Sequence, residues 1–250
     1  MFNRLIRIWR HAIQMVEIIL HEHRFENGLR YLFYDNHSDE LLIVFSAFGT
    51  GDRRTYNYVR SMKGCKTDRL YILDPWGYKG SYNLYEDGSI FPFETTNRLI
   101  RKVLIKGGYK SITTAGSSKG GSCALIFGLE HKVDRIVVGA CQYNIGTYVY
   151  REGFRPIFYA MMGRDAGEKE RVMLDSIIKN ALDKAHAEHY HPEIHVLFSK
   201  KELTYERQIK DLLVKLEEGE SPIVLKEEFF EDHSDVGKYF GPYLRGLYDK

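Results

Sequence analysis

Residues 41–46 read Leu-Leu-Ile-Val-Phe-Ser, an apolar run with no polar alternation. A strand with one wet face alternates apolar and polar side chains. An unbroken run belongs to a strand covered on both faces, as in a parallel sheet. Shorter runs of the same kind recur at 70–73, 111–114, Arg135–Gly139, 195–198 and 222–225. Helical periodicity fills the intervals at 53–62 and 95–106, in a stretch that ends at Leu129, and at 203–216. Strands alternating with helices in this order predict an α/β fold with a mostly parallel central sheet flanked by helices. The start differs: 14–24 and 29–34 are expected to pair as antiparallel strands across the turn Glu26-Asn27-Gly28. Residues 142–190 interrupt the alternation with helical stretches and no clear strand. They are expected to form a small inserted cap over the sheet's carboxyl edge. With no repeat and no low-complexity linker, residues 1–250 read as a single domain, long enough to bury most of its apolar surface without cross-links.

The charge balance excludes some function classes. With 36 basic and 34 acidic residues the net charge is +2, too small to make nucleic acid the default partner. Cys65, Cys123 and Cys141 cannot build a disulfide framework and include no CxxC pair, which points to a reducing, cytoplasmic setting. No apolar run reaches the roughly 20 residues needed to span a bilayer. Arg4, Arg7, Arg10 and Glu17 interrupt the first twenty residues, so neither a transmembrane segment nor a signal peptide is expected. That basic, Trp-bearing start is either a plain N-terminal arm or a segment that meets a membrane surface or a partner.

The chemistry concentrates at Gly116-Ser117-Ser118-Lys119-Gly120. This is a G-x-S-x-G between a predicted strand and a predicted helix, the setting of a nucleophile elbow. The turn is tight enough that side chains at the flanking glycines would collide, and it lifts the Ser118 hydroxyl above the sheet edge. It also leaves the Lys119 N–H, in the first helical turn, aimed where an oxyanion would form. Gly121 lets the helix pack closely on its neighbours. The segment lacks the Walker spacing, and no Rossmann glycine pattern occurs in the chain.

An activated serine needs a base and an orienting acid, in the order serine, acid, histidine. His233 follows the last predicted strand, so it is the candidate that takes and returns the Ser118 proton. Glu202 is the first carboxylate after the strand at 195–198. It either holds His233 in the right tautomer or caps the helix it opens. Asp232 or Asp235 could replace it only through a local arrangement. The loop 46–51 offers Phe48 or Ala47 as a second oxyanion N–H. Arg53, Arg54 and, in the turn Asp74-Pro75-Trp76-Gly77, Trp76 are candidates for substrate contact. His186, His189, His191 and His195 cluster in sequence, but no zincin-type carboxylate–histidine motif accompanies them. Cys141 reads as a buried thiol. None of these roles calls for a metal or a cofactor.

Five segments carry a family resemblance: FSAFGTG (45–51), LYILDPWGYKGSY (70–82), GSSKGG (116–121), VVGACQYNIGTY (137–148) and HSDVGKYF (233–240). Together they resemble a bacterial α/β-hydrolase-like family of capsular polysaccharide biosynthesis, the XcbB/CpsF group. More distantly, they are similar to the acyltransferase-like component of accessory Sec systems that export glycosylated adhesins. The resemblance implies an α/β-hydrolase fold with Ser118 as elbow serine, His233 as late histidine and Glu202 matching the acid by position. It further implies a serine-dependent carboxylic ester hydrolase or O-acyltransferase acting on a small-molecule or glycan ester. The same residues serve hydrolysis and transfer. Two other readings are open: a non-catalytic partner in a polysaccharide or export assembly, using the aromatic loops 76–85 and 143–150 as a binding surface, and a peptidase. Oligomeric state is not encoded in any of these signals.

Overall fold

The computed structural model describes residues 20–49 and 54–249, together with Ile18. The N-terminal arm, residues 14–17 of the first expected strand, and Arg53 lie outside the described residues. The chain runs β1 (Glu22–Arg24), β2 (Arg30–Tyr34), β3 (Glu40–Phe45), β4 (Asp68–Leu73), α1 (Phe91–Gly107), β5 (Ser111–Ser117) and α2 (Lys119–Glu130). It continues through β6 (Arg135–Gly139), α3 (Ile145–Tyr150), α4 (Arg155–Met162), α5 (Glu168–Ala187), β7 (Glu193–Phe198), α6 (Lys210–Glu217), β8 (Ile223–Glu227) and α7 (Val236–Gly246). Among the described residues the strands form one eight-stranded sheet in the order β1-β2-β4-β3-β5-β6-β7-β8. β2 lies antiparallel to β1 and β4, and every other neighbouring pair is parallel.

The uniform apolarity of β3 has a direct cause. Leu41, Ile43 and Phe45 point into one core, and Leu42 and Val44 into another on the opposite face. In β4, Leu70 and Ile72 divide from Tyr71 and Leu73 in the same way. Leu99 and Ile100 of α1, the apolar residues of α2, and Leu212 and Leu216 of α6 complete the first core. Val236, Phe240 and Leu244 of α7, with Tyr56, Val59, Met62 and Cys65, complete the second. Within residues 142–190, α5 packs on α2 and α3 and buries Leu174 and Ile178 in the first core.

Two expected elements take another form. Residues 54–62 are not helical but run through turns. Tyr58 has φ 63°, which an α-helix does not accept, and separate turns close instead, the Met62 N–H donating to the Tyr58 carbonyl (3.0 Å) and the Lys63 N–H to that of Arg60 (3.2 Å). Tertiary contacts outweigh the helical periodicity here: Asn57 Oδ1 accepts from the Ala47 N–H (2.8 Å), and the Tyr58 hydroxyl meets Ser117 Oγ (2.5 Å). At the other edge β1 spans only Glu22–Arg24, while Leu20 and His21 are helical. Instead of continuing the ladder, the first strand residue is tied sideways, Glu22 accepting from the Tyr56 hydroxyl (2.9 Å) and facing Arg30. A short, charged edge strand gives an incoming chain little to pair with.

Phe240 is fully buried and stands so close to Gly139 that a Cβ there would lie 2.5 Å from its ring. It also packs on Tyr58, with centroids 5.0 Å apart. Phe240→Ala is expected to cost about 3–5 kcal/mol, read from urea unfolding with unchanged m-value. A loss below about 1 kcal/mol, within the range of an uncritical surface change, would show that this ring does not anchor α7.

Candidate active site

The parallel strands β3 to β8 deliver their carboxyl ends to one edge of the sheet, where ligand sites of open α/β sheets form. At the centre, β5 passes into α2 through Ser118, whose backbone sits at φ 52°, ψ −129°. A side-chain-bearing residue in this region is strained and persists only where its surroundings dictate it. Here the Ser118 N–H donates to the Gly139 carbonyl (2.7 Å), and the Ser118 carbonyl accepts from Gly121 and Ser122. The glycines are required sterically. A Cβ on Gly116 would come 2.3 Å from the Gly120 carbonyl oxygen, one on Gly120 2.4 Å from that of Phe45, and one on Gly121 2.8 Å from Cys141 Cβ.

The three side chains singled out from sequence lie in one hydrogen-bonded chain. Ser118 Oγ stands 2.7 Å from His233 Nε2, and His233 Nδ1 faces Glu202 Oε1. A carboxylate can only accept, so Nδ1 carries the proton and Nε2 receives the serine hydroxyl. Glu202 is buried, and the Thr204 hydroxyl donates to the same Oε1. Its carboxylate therefore faces the histidine and not the amides of the helix it precedes. That helix opens as a π-turn, Tyr205–Ile209, and Gln208 Oε1 accepts from the Asn144 N–H (2.7 Å). Asp232 is occupied by the Ser234 N–H (2.8 Å) and Asp235 by Lys238 (2.7 Å).

The remaining expected residues divide. The Ala47 N–H is engaged by Asn57, which leaves Phe48 as the candidate of the two for the second oxyanion donor. Arg54 spends its guanidinium on the Gly77 carbonyl (2.6 Å) and so ties its loop to the turn after β4. Trp76 is buried, its ring edge-on to Phe91 and its indole N–H donating to the Asn27 carbonyl (3.3 Å). Both are engaged by the protein itself and do not line the site's open side. Tyr82, Tyr143 and Tyr148 are buried too, whereas Tyr78 is exposed and Tyr85 and Tyr150 are half-buried, so the aromatic loops pack largely inward. Burial pushes the Cys141 and Cys123 thiols up to about 12, which keeps both protonated. His195 lies inside the fold between Tyr243 (2.6 Å) and Glu193 (2.9 Å). Among the described residues no group of three or more His, Cys, Asp or Glu could hold a metal ion.

Two participants escaped the sequence reading. Gln142 Nε2 donates to Ser118 Oγ (3.1 Å). Its amide is oriented by the Tyr82 hydroxyl on Oε1 (3.3 Å) and by Ser122 Oγ, which bridges its backbone N–H and C=O. Its place just beyond β6, at the same sheet edge as the other site residues, was the available signal. The second is the Lys119 side chain, which is buried and donates to Asp74 Oδ2 (2.8 Å). A cation in the first turn of a helix opposes the macrodipole, and that mismatch called for a carboxylate partner. Asp74 also accepts from the Ser81 N–H (2.6 Å) and the Asn83 N–H (3.2 Å). The pair thereby clasps the loop after β4 to the elbow.

No family model and no curated protein matches the chain, whereas solved structures do. The capsule O-acetyltransferase of Neisseria meningitidis serogroup A superimposes with a TM-score of 0.74 at 20% identity, over 92% of this chain and 94% of that one. A histidine-to-alanine variant of that acetyltransferase was solved with CoA. The Glycosylation Associate Protein (Gap123) complex of Streptococcus agalactiae matches with a TM-score of 0.71 at 19% identity, over 90% of this chain and 46% of that one. The fluorophosphonate-binding serine hydrolase F of Staphylococcus aureus matches with a TM-score of 0.68 at 14% identity, over 92% and 97%. At these identities the likeness establishes the fold, which is the α/β-hydrolase fold.

Breaking the Lys119–Asp74 pair strands a buried charge. Lys119→Met and Asp74→Asn are each expected to cost about 3–5 kcal/mol. The double variant should cost less than the sum by at least about 1 kcal/mol. Additive losses in chemical denaturation would show that the two charges do not depend on each other.

Proposed function

We propose that the chain is a serine-dependent carboxylic ester hydrolase or O-acyltransferase that works through an acyl-enzyme. The observation that supports it is the Ser118–His233–Glu202 chain, mounted on a strained elbow at the carboxyl edge of an α/β-hydrolase sheet. Ser118 Oγ attacks the ester carbonyl carbon while its proton passes to His233 Nε2. The imidazolium that forms is held by Glu202. The Lys119 and Phe48 N–H groups take the negative charge that develops on the carbonyl oxygen. The Gln142 amide donates to Oγ, which keeps the hydroxyl proton directed at the histidine. On collapse the C–O bond to the alcohol breaks, and His233 returns the proton to the departing oxygen. Water or a second alcohol then resolves the acyl-enzyme by the same steps in reverse.

Hydrolysis and transfer share every one of these residues and differ only in whether water reaches the acyl-enzyme. In this reading residues 142–190, which hold α3, α4 and α5, serve as the cap that governs that access. A glycan as the acyl acceptor, and a CoA thioester as one acyl donor, are proposed by likeness to the capsule O-acetyltransferase and its CoA complex. The peptidase reading gains no support from any groove described above. A purely scaffolding role is disfavoured by the assembled Ser118–His233–Glu202 chain.

A fluorophosphonate reports directly on an activated serine. Intact mass should show a single adduct on the wild type and none on Ser118→Ala. Labelling should be slower by about 10³-fold or more in His233→Ala, and by about 10²–10⁴-fold in Glu202→Ala. A folded wild-type protein that takes no adduct would overturn the reading.

A further inference from the structure

Arg151 has no role in the chemistry above, yet its surroundings are those of a binding group. It ends α3 and projects over two rings, its guanidinium carbon 4.0 Å from the Tyr148 centroid and 4.2 Å from that of Phe154. Contact with both ring faces, which stand at 66° to each other, restrains the guanidinium. Its Nε is buried without a hydrogen-bond partner, and the side chain makes no ion pair with any described carboxylate. Buried donors are almost always satisfied, so the unpaired Nε leaves this guanidinium incompletely engaged by the protein. Arg151 lines a cavity of about 450 Å³ whose wall also includes His233, Glu202, Thr204 and Leu203.

The side of the site on which this cavity lies determines what fills it. His233 must hand its proton to the oxygen of the departing alcohol, so that alcohol rests against the imidazole, and His233 also stands in the wall of the cavity that Arg151 lines. Away from the imidazole, the Phe48 and Tyr82 rings pack edge to face, and Gln142 connects Tyr82 to Ser118. Glu231 and Asp232 also border the cavity. Both are exposed, and Asp232 is turned onto the Ser234 N–H, so water screens them more than it screens the half-buried guanidinium.

Resting on the acyl-transfer reading, we infer that Arg151 recognises an anionic group, a carboxylate or phosphate, carried on the alcohol part of the substrate. That part is the leaving group in ester cleavage and the acceptor in transfer. A guanidinium fork matches either oxyanion with two parallel N–H···O bonds.

The test compares esters that share a phenolic leaving group. Phenyl acetate is neutral, 4-acetoxybenzoate and 4-acetoxyphenyl phosphate carry the anion on the alcohol side, and monophenyl succinate carries it on the acyl side. Arg151→Met is expected to lower kcat/KM at least tenfold for one or both alcohol-side anions, through KM, and to leave phenyl acetate within twofold. The carboxylate and phosphate arms identify which anion the site takes, and Arg151→Lys should restore part of the loss. In the wild type alone, raising the salt concentration should erode the same preference. An equal effect of Arg151→Met on all four esters, or a loss confined to monophenyl succinate, would overturn the inference while leaving the acyl-transfer reading intact. If the wild type cleaves none of the esters, the acyl-transfer reading fails instead. Arg151 is then judged by calorimetric binding of 4-hydroxybenzoate against phenol. A preference for the anion that Arg151→Met abolishes supports the site, and equal binding overturns it.

Discussion

A residue with a side chain holds φ 52°, ψ −129° only where everything around it leaves no alternative, and the centre of this molecule is arranged to do that for Ser118. The strand before it is locked between β3 and β6. The helix after it is buried along almost its whole length. The three glycines at 116, 120 and 121 sit where any Cβ would strike backbone or a neighbouring side chain. Relaxing the turn would mean moving β5 or α2, and with them the packing of both cores. The strain is therefore maintained by the whole sheet, and its result is a hydroxyl placed above the carboxyl edge with backbone N–H groups beside it.

Charge is handled by the same logic. Lys119 follows the strained serine and would place an ammonium in the first turn of a buried helix, which both the macrodipole and the low dielectric oppose. Asp74 meets that ammonium and also gathers the N–H groups of Ser81 and Asn83. Neither charge is tolerable without the other, so the loop after β4 has no freedom to drift from the elbow. Gly80 allows the approach: at φ 112° it lies where a Cβ would be 2.9 Å from Asp74 Oδ2.

The site is then assembled from strand ends far apart in sequence. Gln142 after β6 and His233 after β8 reach Ser118, and Glu202 after β7 reaches His233, because parallel strands end at the same height. Arg151 differs from these. It comes from the end of α3 and lines the cavity whose wall also includes His233. The strand ends thus supply the Ser118–His233–Glu202 chain, and the helical segment after β6 supplies the arginine beside it.

What the chain by itself determined was whatever depends on local pattern. Unalternating runs such as 41–46 announced strands covered on both faces. The glycine spacing around Ser118 announced a turn too tight for side chains, and chain order alone picked out Glu202 and His233. Only the tertiary structure decided what depends on partners distant in sequence. The periodicity at 53–62 did not become a helix, because Asn57 and Tyr58 are claimed by Ala47 and Ser117. Trp76 and Arg54 were drawn into packing and backbone contacts, because both lie where the loop after β4 closes on its neighbours. The Lys119–Asp74 pair joins residues 45 positions apart, and the Gln142–Ser118 contact spans 24. Periodicity reports which face of an element is apolar, but not which polar group on another element will meet it, since that follows from how the strands stack.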